Sequence, residues 1–151
     1  MTMGLLFDAD EAVAKWWCGT SGWGKMPFKF DACLGVVDEA LMPRGAIFLH
    51  GFNGNDLQLS YYGEGTLTPG VARTLGQFIL TKFDPSRLTV IVSKRNKRLI
   101  RSCGRFGFKL EGAQHCYYGK VDCNRNTGVR LVMFRDRMDQ VAAPAALKKV
   151  S

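Results

Sequence analysis

The sequence predicts a single α/β domain of the mixed α+β kind, with a mixed central sheet of six to seven strands and helices on both faces. Three observations predict it. Apolar residues make up 46% of the chain and charged residues 23%, so its 151 residues can fill one core. Short β-rich runs recur with turn residues between them, and they are interspersed with segments of helical period. Runs of neighbouring strands mixed with strand–helix units require a mixed sheet.

Taken in order, residues 3–7 make a short first strand. Asp8 or Asp10 then caps a helix over 9–18, which ends before the Gly-rich stretch 19–24. Strands over 28–37 and 45–52 flank a loop holding Met42, Pro43 and Arg44. Asn53, Gly54, Asn55 and Asp56 are turn chemistry, since Asn and Gly tolerate positive φ, and a strand over 57–62 follows. Thr68 before Pro69 is a helix start: a hydroxyl to cap, then proline where its missing N–H costs little. This helix runs to about Phe83, with Val71, Leu75, Phe78, Ile79 and the stem of Lys82 inward. The run 88–93 is apolar at nearly every position, as a central strand covered on both faces should be. A helix over 96–106 sets Leu99, Ile100, Cys103 and Phe106 on one side and Arg98, Arg101 and Arg105 on another, and Gly107 ends it. Strands over 110–118 and 129–135 surround the turn-rich 122–128. One domain therefore occupies 1–139, and the Ala-rich, basic-ended 140–151 is an extension, loose or docked.

The longest apolar runs fall far short of the roughly 20 residues a membrane span needs. The first residues carry no basic segment before their apolar stretch, so a secretory signal is not expected and a cytoplasmic location is. Five cysteines, an odd number without a Cys-x-x-Cys pair, argue against a disulfide framework and for buried reduced thiols. No metal site is expected: zinc would need His115, Cys116 and Cys123 to converge with a distant fourth ligand. A net charge of +8 favours an anionic partner, which could be nucleic acid, a membrane surface or a phosphate-bearing cofactor.

Residues 88–112 carry a more specific pattern: a strand, a basic turn, Asn96 opening a helix, Gly107-Phe108 closing it, and then Glu111-Gly112. This pattern resembles the signature of the GNAT (GCN5-related N-acetyltransferase) superfamily, and the order of elements from Met3 to Asp136 is similar to that of its acyl-CoA N-acyltransferase fold. The stretches 108–112, Tyr117-Tyr118-Gly119 and 130–135 look most like the branch of ribosomal-protein N-terminal acetyltransferases. Two positions depart from the superfamily. The phosphate loop falls at about 64–70, with Gly63, Gly65 and Gly70 but no basic residue at its front, while Arg73 to Gly76 match half of the motif inside the helix. Cys103 stands where many members carry a Tyr that protonates the leaving thiolate. These departures also look like the short, divergent acetyltransferase-like proteins of tailed phages. The alternative is therefore a catalytically degenerate virion or DNA-binding component. A third possibility is modification of a nucleobase by the same fold.

The resemblance implies acetyl-CoA as co-substrate and an amine acceptor, on a protein N-terminus or a small molecule. A helix tip offers free N–H groups and the positive end of its dipole to a diphosphate. Thr68, Gly70, Val71, Ala72 and Arg73 are the residues expected there, with Val92, Asn96 and Arg98 completing cofactor binding. Asn96 also caps its own helix. Tyr62, Asn96 and Cys103 are the catalytic candidates, and the general base is sought among Tyr61, Tyr62, Glu64 and His50. A thiol acid at Cys103 needs an ordinary pKa near 8.5, and the other reading is a small apolar residue on a buried helix face. Lys94, Arg95, Lys97, Arg98, Arg101, Arg105 and Lys109 form the densest charge group. It is read as a ribose-phosphate site, a nucleic-acid track or a solvated face. Tyr117 and Tyr118 are read as stacking on a base or lining the acceptor cleft.

Overall fold

A computed structural model describes residues 2–144. Eleven elements follow one another: β1 (Gly4–Leu6), α1 (Asp10–Ser21), β2 (Ala32–Val37), β3 (Pro43–His50), β4 (Asp56–Tyr62), α2 (Pro69–Lys82), β5 (Arg87–Ser93), α3 (Lys97–Phe106), β6 (Lys109–Gln114), β7 (Gly128–Phe134) and α4 (Arg135–Ala142). The strands form one seven-stranded sheet in the order β1-β2-β3-β4-β5-β7-β6. Every neighbouring pair is antiparallel except β4–β5, because α2 carries the chain back to the start of the sheet between them. No helix among the described residues is long and apolar enough to cross a membrane.

Strand alternation divides the core. Leu34, Ile47, Leu49, Leu57 and Val90 face Leu75 and Ile79 of α2, Cys103 of α3 and Met138 of α4. Cys33, Ala46 and Phe48 point to the other side and meet Val13 and Ala14 of α1. Each fully buried aliphatic or aromatic side chain of this kind stabilises the fold by about 1.5–3 kcal/mol. The expected layers are thus present on both faces.

Several expectations of detail are corrected. The strand expected from residue 28 begins at Ala32, because Phe28 and Phe30 turn their rings onto Phe48, with centroids 5.6 and 5.7 Å away. Helix α1 continues past Cys18 to Ser21 and ends on Gly22, whose φ of 79° suits the left-handed cap. Asp10 does not cap it; its carboxylate accepts the Cys33 N–H at 2.9 Å and ties α1 to β2. The strand expected over 110–118 stops at Gln114. The cysteines are not all reduced thiols. Cys18, Cys33 and Cys103 are free and buried, but Cys116 and Cys123 are disulfide-bonded. The chain folds back locally there, with the Cys116 N–H on the Cys123 carbonyl at 3.1 Å, and brings two distant-looking thiols together. Helix α4 was not expected. It runs through the expected domain boundary at 139/140 and docks on α2, where the bare Cα of Gly76 admits Ala142 and Gln77 donates to the Ala142 carbonyl at 3.0 Å. The rest of the expected extension, 145–151, lies outside the described residues.

The β2–β3 turn is held by one carboxylate. Asp38 is buried and accepts the Ala40 and Met42 N–H groups at 2.9 and 3.0 Å and the Arg44 Nε at 2.8 Å. The Met42 amide, with Arg44 and Ala40, holds its carboxyl below the ordinary 3.8, against burial that pushes it up. A depressed folded pKa adds stability above the unfolded pKa, and that stability is lost as pH falls through the folded value. Asp38→Asn should therefore melt below the wild type at neutral pH, and the gap should close on acidification below the ordinary aspartate range. Thermal melts of both proteins across pH 2–7 check this; a gap that stays constant would refute it.

Candidate functional site

The one parallel pair opens into a V. Residues of β4 and β5 pair from Asp56↔Arg87 to Leu59↔Val90, and no further. Yet β4 continues to Tyr62, held by β3 through Ala46↔Tyr62, and β5 continues to Ser93, held by β7 through Ser93↔Gly128. Each strand is thus drawn toward its own half of the sheet. The closed end of the pair, opposite the opening, is pinned by Arg87, which lies 3.3 Å from Asp56 and 2.5 Å from Glu111 of β6. Beside the splayed ends, a cavity of about 300 Å³ lies between α2 and α3, with Leu59, Tyr61, Leu75 and Ile79 on one side and Val90, Val92, Leu99 and Cys103 on the other. Met138 and Val141 of α4 complete its wall.

The loop from β4 to α2 bends at once. Gly63, at φ 120°, runs against β3, and a Cβ there would sit 2.7 Å from the Arg44 carbonyl and 2.8 Å from the Gly45 Cα. Thr66 inside the loop donates to the Gly63 carbonyl at 2.7 Å. Its single proton is thereby used, so the Tyr61 hydroxyl 3.1 Å away donates to Thr66 in turn. Burial pushes the Tyr61 phenol up to about 12, which leaves it protonated at neutral pH.

Thr68, Gly70, Val71, Ala72 and Arg73 lie at the cap and first turn of α2. Thr68 caps α2 by accepting the Val71 N–H at 3.2 Å, and the Ala72 N–H is bonded to the Thr68 carbonyl at 2.9 Å. Of the three amides expected to face a diphosphate, only that of Gly70 has no acceptor among the described residues. Ala72 is buried and lines the cavity; Arg73 is half-buried on the same turn. Val92 lines the β5 side and Asn96 the rim, where its Oδ1 also accepts the Leu99 N–H at 3.2 Å. Arg98 stands 3.7 Å from Glu64, linking α3 to the loop before α2 through two exposed side chains. Such a pair contributes little stability. Lys94, Arg95 and Lys97 are exposed on the turn leading into α3.

The catalytic candidates lie in different surroundings. Cys103 lines the cavity, and burial pushes its thiol up to about 11. It therefore holds its proton more tightly than an ordinary thiol of pKa near 8.5 would. That favours its role as an apolar wall over proton donation. Tyr62 points to the face opposite Tyr61, where its ring stacks on Trp17 at 5.0 Å and meets Trp23 edge-on at 5.1 Å; burial raises its pKa. Glu64 is an exposed side chain. His50 lies on the α1 face with its Nε2 3.0 Å from the Ser60 hydroxyl. Tyr118, from the loop after β6, also lines the cavity, and its hydroxyl donates to the Ile91 carbonyl at 3.3 Å. Among the described residues no group of three His, Cys, Asp or Glu side chains could hold a metal ion.

Sequence reasoning missed Ser60, Leu67 and the α4 wall. A lone serine or leucine leaves no pattern. The spacing of Met138, Val141 and Ala142 was a usable helical signal.

No family model matches the chain, and no curated protein matches it. Solved structures do. A mutant form of the spermidine/spermine N-acetyltransferase SpeG from Vibrio cholerae superposes with a TM-score of 0.72 at 12% identity, over 94% of this chain and 100% of the other. The same spermidine N-acetyltransferase in complex with CoA and spermine gives 0.66 at 13% identity, over 90% and 97%. A GCN5-related N-acetyltransferase from Brucella melitensis gives 0.61 at 18% identity, over 89% of this chain and 62% of the other. These superpositions show that the chain has the acyl-CoA N-acyltransferase fold of the GNAT acetyltransferases.

Proposed function

We propose that the protein transfers acetyl from acetyl-CoA to an amine. The observation that carries this reading is the β4–β5 splay, open beside the capped tip of α2 and backed by an apolar cavity of about 300 Å³. The residues present fit the co-substrate. The apolar walls suit an uncharged pantetheine arm and acetyl group. The Gly70 amide, Arg73 and the cations Lys94, Lys97 and Arg98 suit phosphates, through backbone donors and charge at a helix start.

Ser60 and Tyr62 of the α1 face border the cavity at the opening between β4 and β5, which supports an acceptor that approaches from the α1 side of the sheet. Exposed Lys25 and Lys29 flank that side on the loop between α1 and β2, and net charge is +8. Repulsion of order 1 kcal/mol there would weaken a polycation such as spermine roughly fivefold against an acceptor with a single amine. A peptide with a free α-amino group is the better candidate.

Differential scanning fluorimetry with acetyl-CoA tests the reading. A ligand at 100 times its Kd stabilises by about 2.7 kcal/mol, which for a chain of this size raises Tm by about 5–10 °C. Release of free CoA in the presence of the peptide, faster than with spermine, would identify the acceptor class. Absence of both shift and CoA release would refute acetyl transfer.

A further inference from the structure

Resting on the acetyl-transfer reading, we propose that Ser60 and His50 form the relay that takes the proton from the acceptor amine. Ser60 is the first residue of β4 beyond the last pair with β5, Leu59↔Val90, so it stands at the apex of the V, and it lines the cavity. Alternation along β4 turns its side chain to the α1 face, away from the Leu59 and Tyr61 walls. On that face it meets the His50 Nε2 at 3.0 Å. His50 is fixed by more than this bond. It sits opposite Gln58 in the β3–β4 ladder, and the ring of Phe28 lies 4.7 Å from its own.

Burial lowers the His50 pKa below the ordinary 6.5, with Asp31 acting in the opposite direction. Asp31 reaches it from the segment leading into β2, and its carboxylate also accepts the Phe52 N–H at 3.1 Å. The neighbours from β4, Gln58 and Ser60, and Phe28 beside the ring, are uncharged. The imidazole is therefore neutral at pH 7 and able to accept a proton. With its own hydrogen on Nδ1, its Nε2 accepts from the Ser60 hydroxyl.

The step balances. The amine lone pair attacks the acetyl carbonyl carbon and forms the C–N bond, while the C–S bond breaks and its electron pair leaves on the CoA sulfur. The proton lost by the nitrogen passes to the Ser60 oxygen as the hydroxyl proton passes to His50 Nε2. Imidazolium then returns its proton to water, and the thiolate takes one from water. Ser60 touches the substrate, and His50 acts through it.

The test uses the full chain, with acetyl-CoA and a pentapeptide bearing a free α-amino group, and with spermine as a second acceptor. General-base contributions are about 10²–10⁴-fold, so His50→Gln should lower kcat by roughly 100-fold and leave the KM for acetyl-CoA within about threefold. It should also remove the rise of kcat/KM with pH through the His50 pKa. Ser60→Ala should lose at least about tenfold in kcat, and Ser60→Thr, which keeps the hydroxyl, should restore most of it. A second readout needs no turnover: in a His115→Gln background, His50 is the only imidazole, and its NMR titration midpoint should move in Ser60→Ala but not in Ser60→Thr. Retention of kcat and of the pH dependence in His50→Gln, or an unmoved His50 titration in Ser60→Ala, overturns the relay while acetyl transfer stands. A wild-type chain that neither binds acetyl-CoA nor turns it over refutes the acetyl-transfer reading, and the relay with it.

Discussion

Phenylalanine at position 72 is expected to abolish the stabilisation that acetyl-CoA confers while leaving a folded domain. Ala72 is 8% exposed, lies one turn into α2 and lines the cavity, so a benzyl group there projects into the space an acyl-pantetheine arm would need. Overpacking a well-filled site costs about 1–3 kcal/mol; here the added ring enters open volume, and the unliganded loss should fall toward the lower end. The ligand-induced rise in Tm should drop from about 5–10 °C to below about 1 °C at the same acetyl-CoA concentration. Thr74→Ala, an exposed change two residues along the same helix, should keep the full rise. A full rise in Ala72→Phe would show that acetyl-CoA binds elsewhere.

The largest loss of stability is expected from Gly107→Val. Gly107 ends α3 at φ 103°, and its N–H returns to the Cys103 and Gly104 carbonyls. A side chain there is strained in the left-handed region at about 1–3 kcal/mol, and most for a β-branched residue. Any Cβ also collides with the Arg137 side chain, whose Nε donates to the Phe106 carbonyl at 2.9 Å and joins α4 to the end of α3. Losing that bond adds about 1 kcal/mol. The sum, about 2–4 kcal/mol, corresponds to a fall in Tm of roughly 5–15 °C. Arg137→Ala in the same chain should recover the collision but not the backbone strain. Complete recovery would assign the effect to crowding alone, and no loss in Gly107→Val would refute the account.

The elements that were legible are those whose signals are local. Thr68-Pro69 announces α2 because capping and proline at the first position act within one turn. Asn96 and Gly107 bracket α3 for the same kind of reason, with Asn96 accepting the Leu99 amide and Gly107 adopting positive φ. Helix α4 is harder to read because four of its eight residues are charged, so that Met138, Val141 and Ala142 are its whole apolar signal, and its partner is the bare surface of Gly76, far away in sequence. Phe28 and Phe30 read as strand residues from composition, but Phe48 draws both into the layer over the sheet. The Cys116–Cys123 pairing depends on a loop that reverses between β6 and β7, which cysteine spacing does not reveal.

At the site, residue types were readable and their availability was not. Val71 and Ala72 stand where a diphosphate-binding tip would have them, yet their amides already have acceptors in Thr68. Cys103 falls at the expected helix position, and its proton affinity depends on how deeply neighbouring elements bury it. By itself the sequence determined the succession of elements from β1 to β7, the starts of α2 and α3 and the end of α3, and which side of those two helices is apolar, because these follow from contacts within a few residues. Only the tertiary structure decided that β4 and β5 part after Leu59 and Val90. That opening comes from β3 holding one strand and β7 the other, through backbone hydrogen bonds between segments distant along the chain.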